Sequence, residues 1–234
     1  MATKPRNPEF ITPRGTFKFP SLSSPDYGND EFPNPDGSFK TAVVMSAADA
    51  QPLIDKLMPA YEVALAEGAV KFAALALPAR KKLGEMKTNM FYETEYDKET
   101  EEETGNVIFK AKTKYRRVNA KTKEVSFGRV ILVDAKGKPF PKTLPIYGGT
   151  EGRISFTVRP YFIPGTGVAG LSMYLVSAQI INHVGPGART GASLGYAVED
   201  GFDADDFVPE DSPVEGGEGA HDKSQGSNGN PQDF

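Results

Sequence analysis

Two segments place their charged and apolar side chains on alternate positions, and this period of two commits them to β-structure before anything else is read from the chain. In Val107-Ile-Phe-Lys-Ala-Lys-Thr-Lys-Tyr-Arg-Arg117 a basic residue recurs at every second position for four steps. Successive side chains of an extended strand point to opposite faces. Lys110, Lys112, Lys114 and Arg116 therefore share one face, with Phe109, Ala111, Thr113 and Tyr115 behind them. Residues 152–159 repeat the pattern, with Ile154, Phe156 and Val158 on one face and Arg153, Ser155, Thr157 and Arg159 on the other. A helix, with about 3.6 residues per turn, would scatter both sets around its axis.

Around these two segments the rest of the chain falls into short elements. An extended candidate spans Gly15–Phe19, Pro33-Asn-Pro-Asp-Gly37 reads as a turn, and Ser38–Met45 as a strand. Ser46 with Asp49 three residues on resembles a capping box, which opens a helical region rich in Ala and Leu. Leu53, Leu57, Tyr61 and Leu65 recur there at helical spacing. Pro59 is expected to kink or split it and Pro78 to help end it. Residues 93–103 hold seven carboxylates and one Lys and read as a solvated loop. Strands are predicted at 107–118, 125–133, 152–159 and 168–183, with a turn at Asp134–Lys138. About six short strands and one helical excursion imply a mainly β chain, a small closed or nearly closed barrel.

Composition narrows the chemistry. Zero cysteines exclude disulfides, thiolate nucleophiles and Cys-based metal sites. No apolar run approaches the roughly 18 residues that span a membrane, and MATKPRNPEF has no apolar signal core, so a cytoplasmic protein is expected. The net charge of −4 conceals a split. Residues 1–184 carry 25 Lys and Arg against 20 Asp and Glu, whereas residues 185–234 carry 2 against 11. The change in character after Val184 marks residues 1–184 as the folded domain. Residues 185–234, rich in Gly, Ser, Pro and Asp, cannot offset chain entropy by burial and read as a flexible acidic tail ending in Phe234.

Catalytic and cofactor patterns are weighed and set aside. Gly165-Thr-Gly-Val-Ala-Gly170 matches a dinucleotide fingerprint in letters, but the following LSMYLVSAQII alternates as a strand and no acid follows until Glu199, so a hairpin loop is expected. Asp203, Asp205 and Asp206 lack the glycine and glutamate of a calcium loop. With two histidines and no nucleophile motif, no enzyme, metal or cofactor is expected. Cationic strands beside aromatics suit single-stranded nucleic acid, whose phosphates follow positive grooves and whose bases stack on rings. Tyr115 beside Arg116 and Arg117, and Arg159-Pro-Tyr161-Phe162 closing the second cationic strand, fit that chemistry. Phe17, Phe19, Tyr92 and Tyr147 are further candidates.

Several stretches resemble the T-seven-type phage single-stranded DNA-binding proteins. They are Pro25–Asp30, Asn34–Lys40, Val133–Lys138, Pro145–Gly149, Val158–Tyr161, the strand from Val168 to Ile181, and the acidic terminus closing on Asp233-Phe234. The resemblance implies an OB-fold-like barrel that coats single-stranded DNA in phage replication and recombination within an infected bacterial cell. It further implies that Asp233 and Phe234 contact the replicative DNA polymerase and helicase-primase, and that the chain can form a homodimer. The chain departs from the family in having no Trp, and Phe162-Ile163 stands where a Lys-Trp pair follows Pro-Tyr. The DNA-binding candidates are Lys110, Lys112, Lys114, Tyr115, Arg116, Arg117, Arg153, Arg159, Tyr161 and Phe162. An RNA- or oligosaccharide-binding barrel and a phage scaffolding protein are the rival readings.

Overall fold

The computed structural model describes residues 8–185, which form eleven strands and two helices. In chain order they are β1 (Glu9–Ile11), β2 (Gly15–Gly28), β3 (Pro33–Ser46), α1 (Ala47–Ala73), α2 (Leu77–Leu83), β4 (Lys87–Asn89), β5 (Glu93–Tyr96), β6 (Glu103–Lys114), β7 (Arg116–Val118), β8 (Val125–Phe127), β9 (Ile131–Val133), β10 (Glu151–Ile163) and β11 (Val168–Asn182). Nine strands make one sheet along the path β4-β11-β10-β2-β3-β6-β5, with β1 added to β10 and β9 to β11. The last two, β7 and β8, pair only with each other.

The period-two segments supply the inner wall. Val107, Phe109, Ala111 and Thr113 of β6 are buried, while Lys110, Lys112 and Lys114 are exposed. Ile154 and Phe156 of β10 join Phe17, Val43 and Phe109 at the centre of the core. Across this wall lies α1, whose Leu53, Ile54, Leu57, Tyr61 and Ala64 are buried. Each such large apolar side chain contributes about 1.5–3 kcal/mol by leaving water. Ser46 caps the helix as its spacing predicts, its Oγ accepting from the Asp49 backbone N–H at 3.1 Å. Near its other end Gly68 passes so close to β11 that a Cβ there would lie 2.5 Å from the Ala169 Cβ.

The mainly β class is borne out, and several finer expectations are corrected. The sheet, expected closed or nearly closed, stays open along one seam. One edge of β6 is covered by β5 only as far as Ile108, and one edge of β11 by β4 at 168–170 and β9 at 177–179. The stretches 109–114 and 171–176 are left uncovered on that side. Pro59 does not split the helix: α1 runs through both Pro52 and Pro59, because its buried stripe outweighs the missing backbone donors. Pro78 opens α2 instead of ending a helix. Pro33–Gly37 lies within β3, and the chain reverses over Asn29–Phe32, where Phe32 N–H donates to Asn29 Oδ1 at 2.8 Å. The acidic stretch 93–103 contains β5 and the start of β6, held to the body by Glu95, which accepts from Thr104 and Asn106 at 2.9 Å each. The strand expected at 107–118 breaks at Tyr115, and that at 125–133 breaks between Phe127 and Ile131. There Gly128 N–H donates to Tyr115 O at 2.6 Å and splits off the β7–β8 ribbon. The GTGVAG match forms a hairpin turn whose last three residues already belong to β11.

Candidate nucleic-acid interface

Where the sheet fails to close, the gap is a groove of about 830 Å³. Lys110, Ala111 and Lys112 form one bank, Leu171 to Tyr174 the other, and both come from the uncovered stretches of β6 and β11. Lys18 and Phe19 of β2, Lys40 of β3, Asn89 of β4, and Tyr161 and Ile163 of β10 complete it. Four lysines thus line the groove, and no carboxylate does among the described residues.

Local backbone features aim the rings. Phe19 sits on a β-bulge, because the β2–β3 register shifts between Lys18 and Ser21. Its φ of 49° lies in the left-handed region, which a bulky side chain rarely occupies, and its ring is 82% exposed. Such strain concentrates at functional positions, and bulges re-aim side chains. Tyr161 stands directly across from Gly170, where a Cβ would come within 3.0 Å of the tyrosine hydroxyl. The missing side chain therefore makes room for the ring, and the Asn89 amide donates to its hydroxyl at 3.1 Å. Two residues back along β10, the Arg159 guanidinium reaches diagonally over the Tyr174 ring of β11, 4.7 Å from its centre. This pairs a cation with an exposed stacking surface.

Carboxylates just outside the groove hold its lysines. Lys18 pairs with Glu95, Lys40 with Asp26 and Lys110 with Glu93, whereas Lys112 has no such partner among the described residues. Hydrogen bonds from Lys40, and then from the Gly28 backbone, hold the Asp26 carboxyl below its ordinary range. Lys18 does the same for Glu95, and Arg116 for Asp36.

The structure brings together some of the residues predicted from sequence and separates others. Lys110, Lys112 and Tyr161 meet in the groove, and Arg159 joins them through Tyr174. Lys114 lies further along the same exposed face of β6, bonded with Arg116 to Asp36 at 3.5 and 3.0 Å. Arg117 braces the base of the ribbon, donating to Thr113 Oγ1 at 2.6 Å and Lys114 O at 3.2 Å. Tyr115 is half-buried among Phe39, Tyr27 and Phe127. Phe162 points to the other side of β10 from Tyr161 and packs edge-on against Phe72 of α1. Arg153 lies elsewhere, in a second cavity of about 850 Å³ between β1 and the start of α1. Of the further rings, Phe19 reaches the groove, but Phe17 is fully buried and Tyr92 packs on Phe91 and Phe109. Sequence reasoning missed Lys18, Lys40 and Tyr174. Lys40 and Tyr174 carried a signal, since each alternates with buried neighbours in its own strand, whereas Lys18 stands between buried Phe17 and exposed Phe19. Asp233 and Phe234, with the whole stretch 186–234, lie outside the described residues.

A mainly antiparallel sheet opened at one seam, with lysines and rings along the opening, has the chemistry that suits an extended polyanion. The chain belongs to the family described as single-stranded DNA-binding protein, bacteriophage T7, whose model matches residues 14–182. It is 28% identical over 187 residues to the single-stranded DNA-binding protein of Enterobacteria phage T3, covering 77% of this chain and 78% of that one. To the protein of the same description from Escherichia phage T7 it is 27% identical over 147 residues, 60% of each chain. Its fold is similar to the crystal structure of gp2.5, the single-stranded DNA-binding protein encoded by bacteriophage T7. That match has a TM-score of 0.62 and 24% identity, and covers 77% of this chain and 94% of the other. Among the described residues no helix is long and apolar enough to cross a membrane, and no group of His, Cys, Asp and Glu could hold a metal ion.

Proposed function

We propose that this protein binds and coats single-stranded DNA during phage DNA replication and recombination, in the cytoplasm of an infected bacterial host. The observation that carries the reading is the open seam, where four lysines and the rings of Phe19, Tyr161 and Tyr174 share one groove. Lysines there would follow phosphates, and the rings would stack on bases that a duplex keeps paired and stacked. Family membership and the names of the relatives support the same reading. Fluorescence titration with oligo-dT tests it. Binding should weaken steeply with salt, by a slope of about 0.7 per phosphate contact, and no comparable binding to a neutral glycan should appear.

Residues 185–234, with 11 acids against 2 cations, supply a second part of the proposal. Tethered to the same chain as a cationic groove, they compete with DNA at high effective concentration. Asp233 and Phe234 offer a charged and aromatic terminus that recruits the replicative polymerase and helicase-primase, and the chain pairs as a homodimer. Deleting 199–234 should tighten DNA binding at low salt. Deleting Phe234 alone should spare DNA binding and abolish binding to the polymerase. Light scattering of the intact chain tests the dimer.

A further inference from the structure

The β7–β8 ribbon belongs to neither the core nor the groove, yet it carries the chemistry of both. It comprises three ladder pairs, Arg116 with Phe127, Arg117 with Ser126 and Val118 with Val125, and so extends about 10 Å. Pairing puts Arg116, Phe127, Val118 and Val125 on one face, since they occupy opposed and alternate positions. None is covered: Val118, Val125 and Phe127 are all exposed, the last by 62%. Across residues 114–124 five cations, Lys114, Arg116, Arg117, Lys121 and Lys123, stand against Glu124 alone.

This arm is held firmly. At its base the Phe127 ring leans on Tyr115, 5.1 Å between centres, and Arg117 is tied to Thr113 and Lys114. At its tip Asn119 Oδ1 accepts from Lys121 N–H at 2.9 Å and Thr122 N–H at 3.2 Å, and Lys123 N–H donates to Asn119 O at 2.9 Å. The exposed apolar cluster of Val118, Val125 and Phe127 beside a row of cations suits a partner with both an apolar face and negative charge, and the surplus of positive charge selects a polyanion over an apolar or cationic partner.

The ribbon also continues the groove. Lys112 and Lys40 line both the groove and a smaller hollow of about 490 Å³ beside the β2–β3 hairpin. Lys114 comes next along β6, and Asp36 joins it to Arg116 at the start of the ribbon. We infer that the ribbon is a second contact for the same single-stranded DNA, resting on the proposed reading of the groove. Phe127 stacks on a base of the strand as it leaves the groove, and Lys121 and Lys123 hold its phosphates.

Strand length separates the two contacts. An oligo-dT of about 4–6 nucleotides, at the short end of the usual site size, should fill the groove alone, and one of about 20 should reach the ribbon. Two variants of the full chain address the ribbon. Phe127→Leu keeps an apolar group on Tyr115 but removes the ring. Lys121→Ala combined with Lys123→Asn removes two charges, asparagine being chosen because the backbone at 123 has φ 59°. Melting curves of both confirm the fold. Each variant should bind the long strand about fivefold or more weakly, and the lysine pair should lower its salt slope by about 1.4, with the short strand unaffected. If both lengths keep wild-type affinity, or both lose it equally, the inference is overturned, and an intact ribbon serving a protein partner becomes the better account. Failure of the wild-type protein to bind either length with salt dependence overturns the groove reading instead.

Discussion

Two cavities of nearly equal size sit on this molecule, and their linings differ in charge and in aromatic rings. The hollow between β1 and α1, about 850 Å³, contains Arg14, Lys56 and Arg153, but Glu9 and Asp49 share its walls and Glu151 is bonded to Arg14. Its charge is thereby largely cancelled, and its rings are absent apart from Phe10, which stacks on buried Phe156. In the seam groove, about 830 Å³, Lys18, Lys40 and Lys110 are paired too, but their carboxylates stand outside the lining. Lys112 has no such partner among the described residues, and three rings stand within the groove. A polyanion is attracted by the second arrangement and gains little from the first.

The largest expected effect tests that contrast directly. Lys40→Ala with Lys112→Ala should lower the slope of log affinity against log salt by about 1.4, and weaken binding alike for all DNA sequences, because phosphate contacts carry no base information. Lys56→Ala with Arg153→Ala removes the same formal charge from the other cavity and should leave slope and affinity nearly unchanged. Equal loss in both pairs would mean that net charge, and not the groove, governs binding.

The rings sharpen the comparison within one strand. Tyr161→Ala or Tyr174→Ala should cost about 1–3 kcal/mol of binding with little change in melting temperature. Phe162→Ala, one residue along and on the opposite face, should do the reverse, lowering melting by loss of packing on Phe72 while leaving binding per folded molecule intact. Phe19→Asn is a finer probe. Asparagine tolerates the left-handed backbone better than phenylalanine, so the variant should melt no earlier than the wild type yet bind DNA less tightly.

Much of this arrangement was legible in the sequence, and the parts that were not share one cause. Period-two patterning identifies which side chains of β6 face out, and places Lys110, Lys112 and Lys114 correctly on an exposed face. It says nothing about which strands become neighbours. That Lys18 and Lys40 stand beside Lys110, while Arg153 stands far away, depends on strand order and on a seam left open, neither of which a local pattern encodes. The same limit applies to Tyr161 and Phe162. Their adjacency in sequence suggests one role for both, but alternation along β10 sends one to the groove and the other to α1. The proline expectations failed for a related reason, since α1 is stabilised by tertiary burial that outweighs its local helix breakers.

The smallest effects concern two carboxylates, one that holds Lys40 of the groove and one that holds Lys114 and Arg116 beyond it. Asp26, paired with Lys40, and Asp36, paired with Arg116 and Lys114, are half-buried surface carboxylates with exposed partners, and such pairs add little to stability. Their carboxyls are held below the ordinary range in the folded protein, by Lys40 and Arg116 respectively. A depressed folded pKa contributes stability that is fully present above the unfolded value, about 3.9 for Asp, and is lost as pH falls through the folded one. The window therefore lies below about pH 4. Asp26→Asn with Asp36→Asn should melt slightly earlier than the wild type at pH 7, and the two curves should converge as the buffer is taken from about pH 4 downward. At neutral pH the same variant should bind oligo-dT a few-fold more tightly at low salt, because Lys40 and Lys114 no longer leave a carboxylate to meet a phosphate. Melting curves that stay parallel down to the most acid buffer would show that these ion pairs are not the source of the difference. Unchanged DNA affinity would show that the lysines exchange partners without cost.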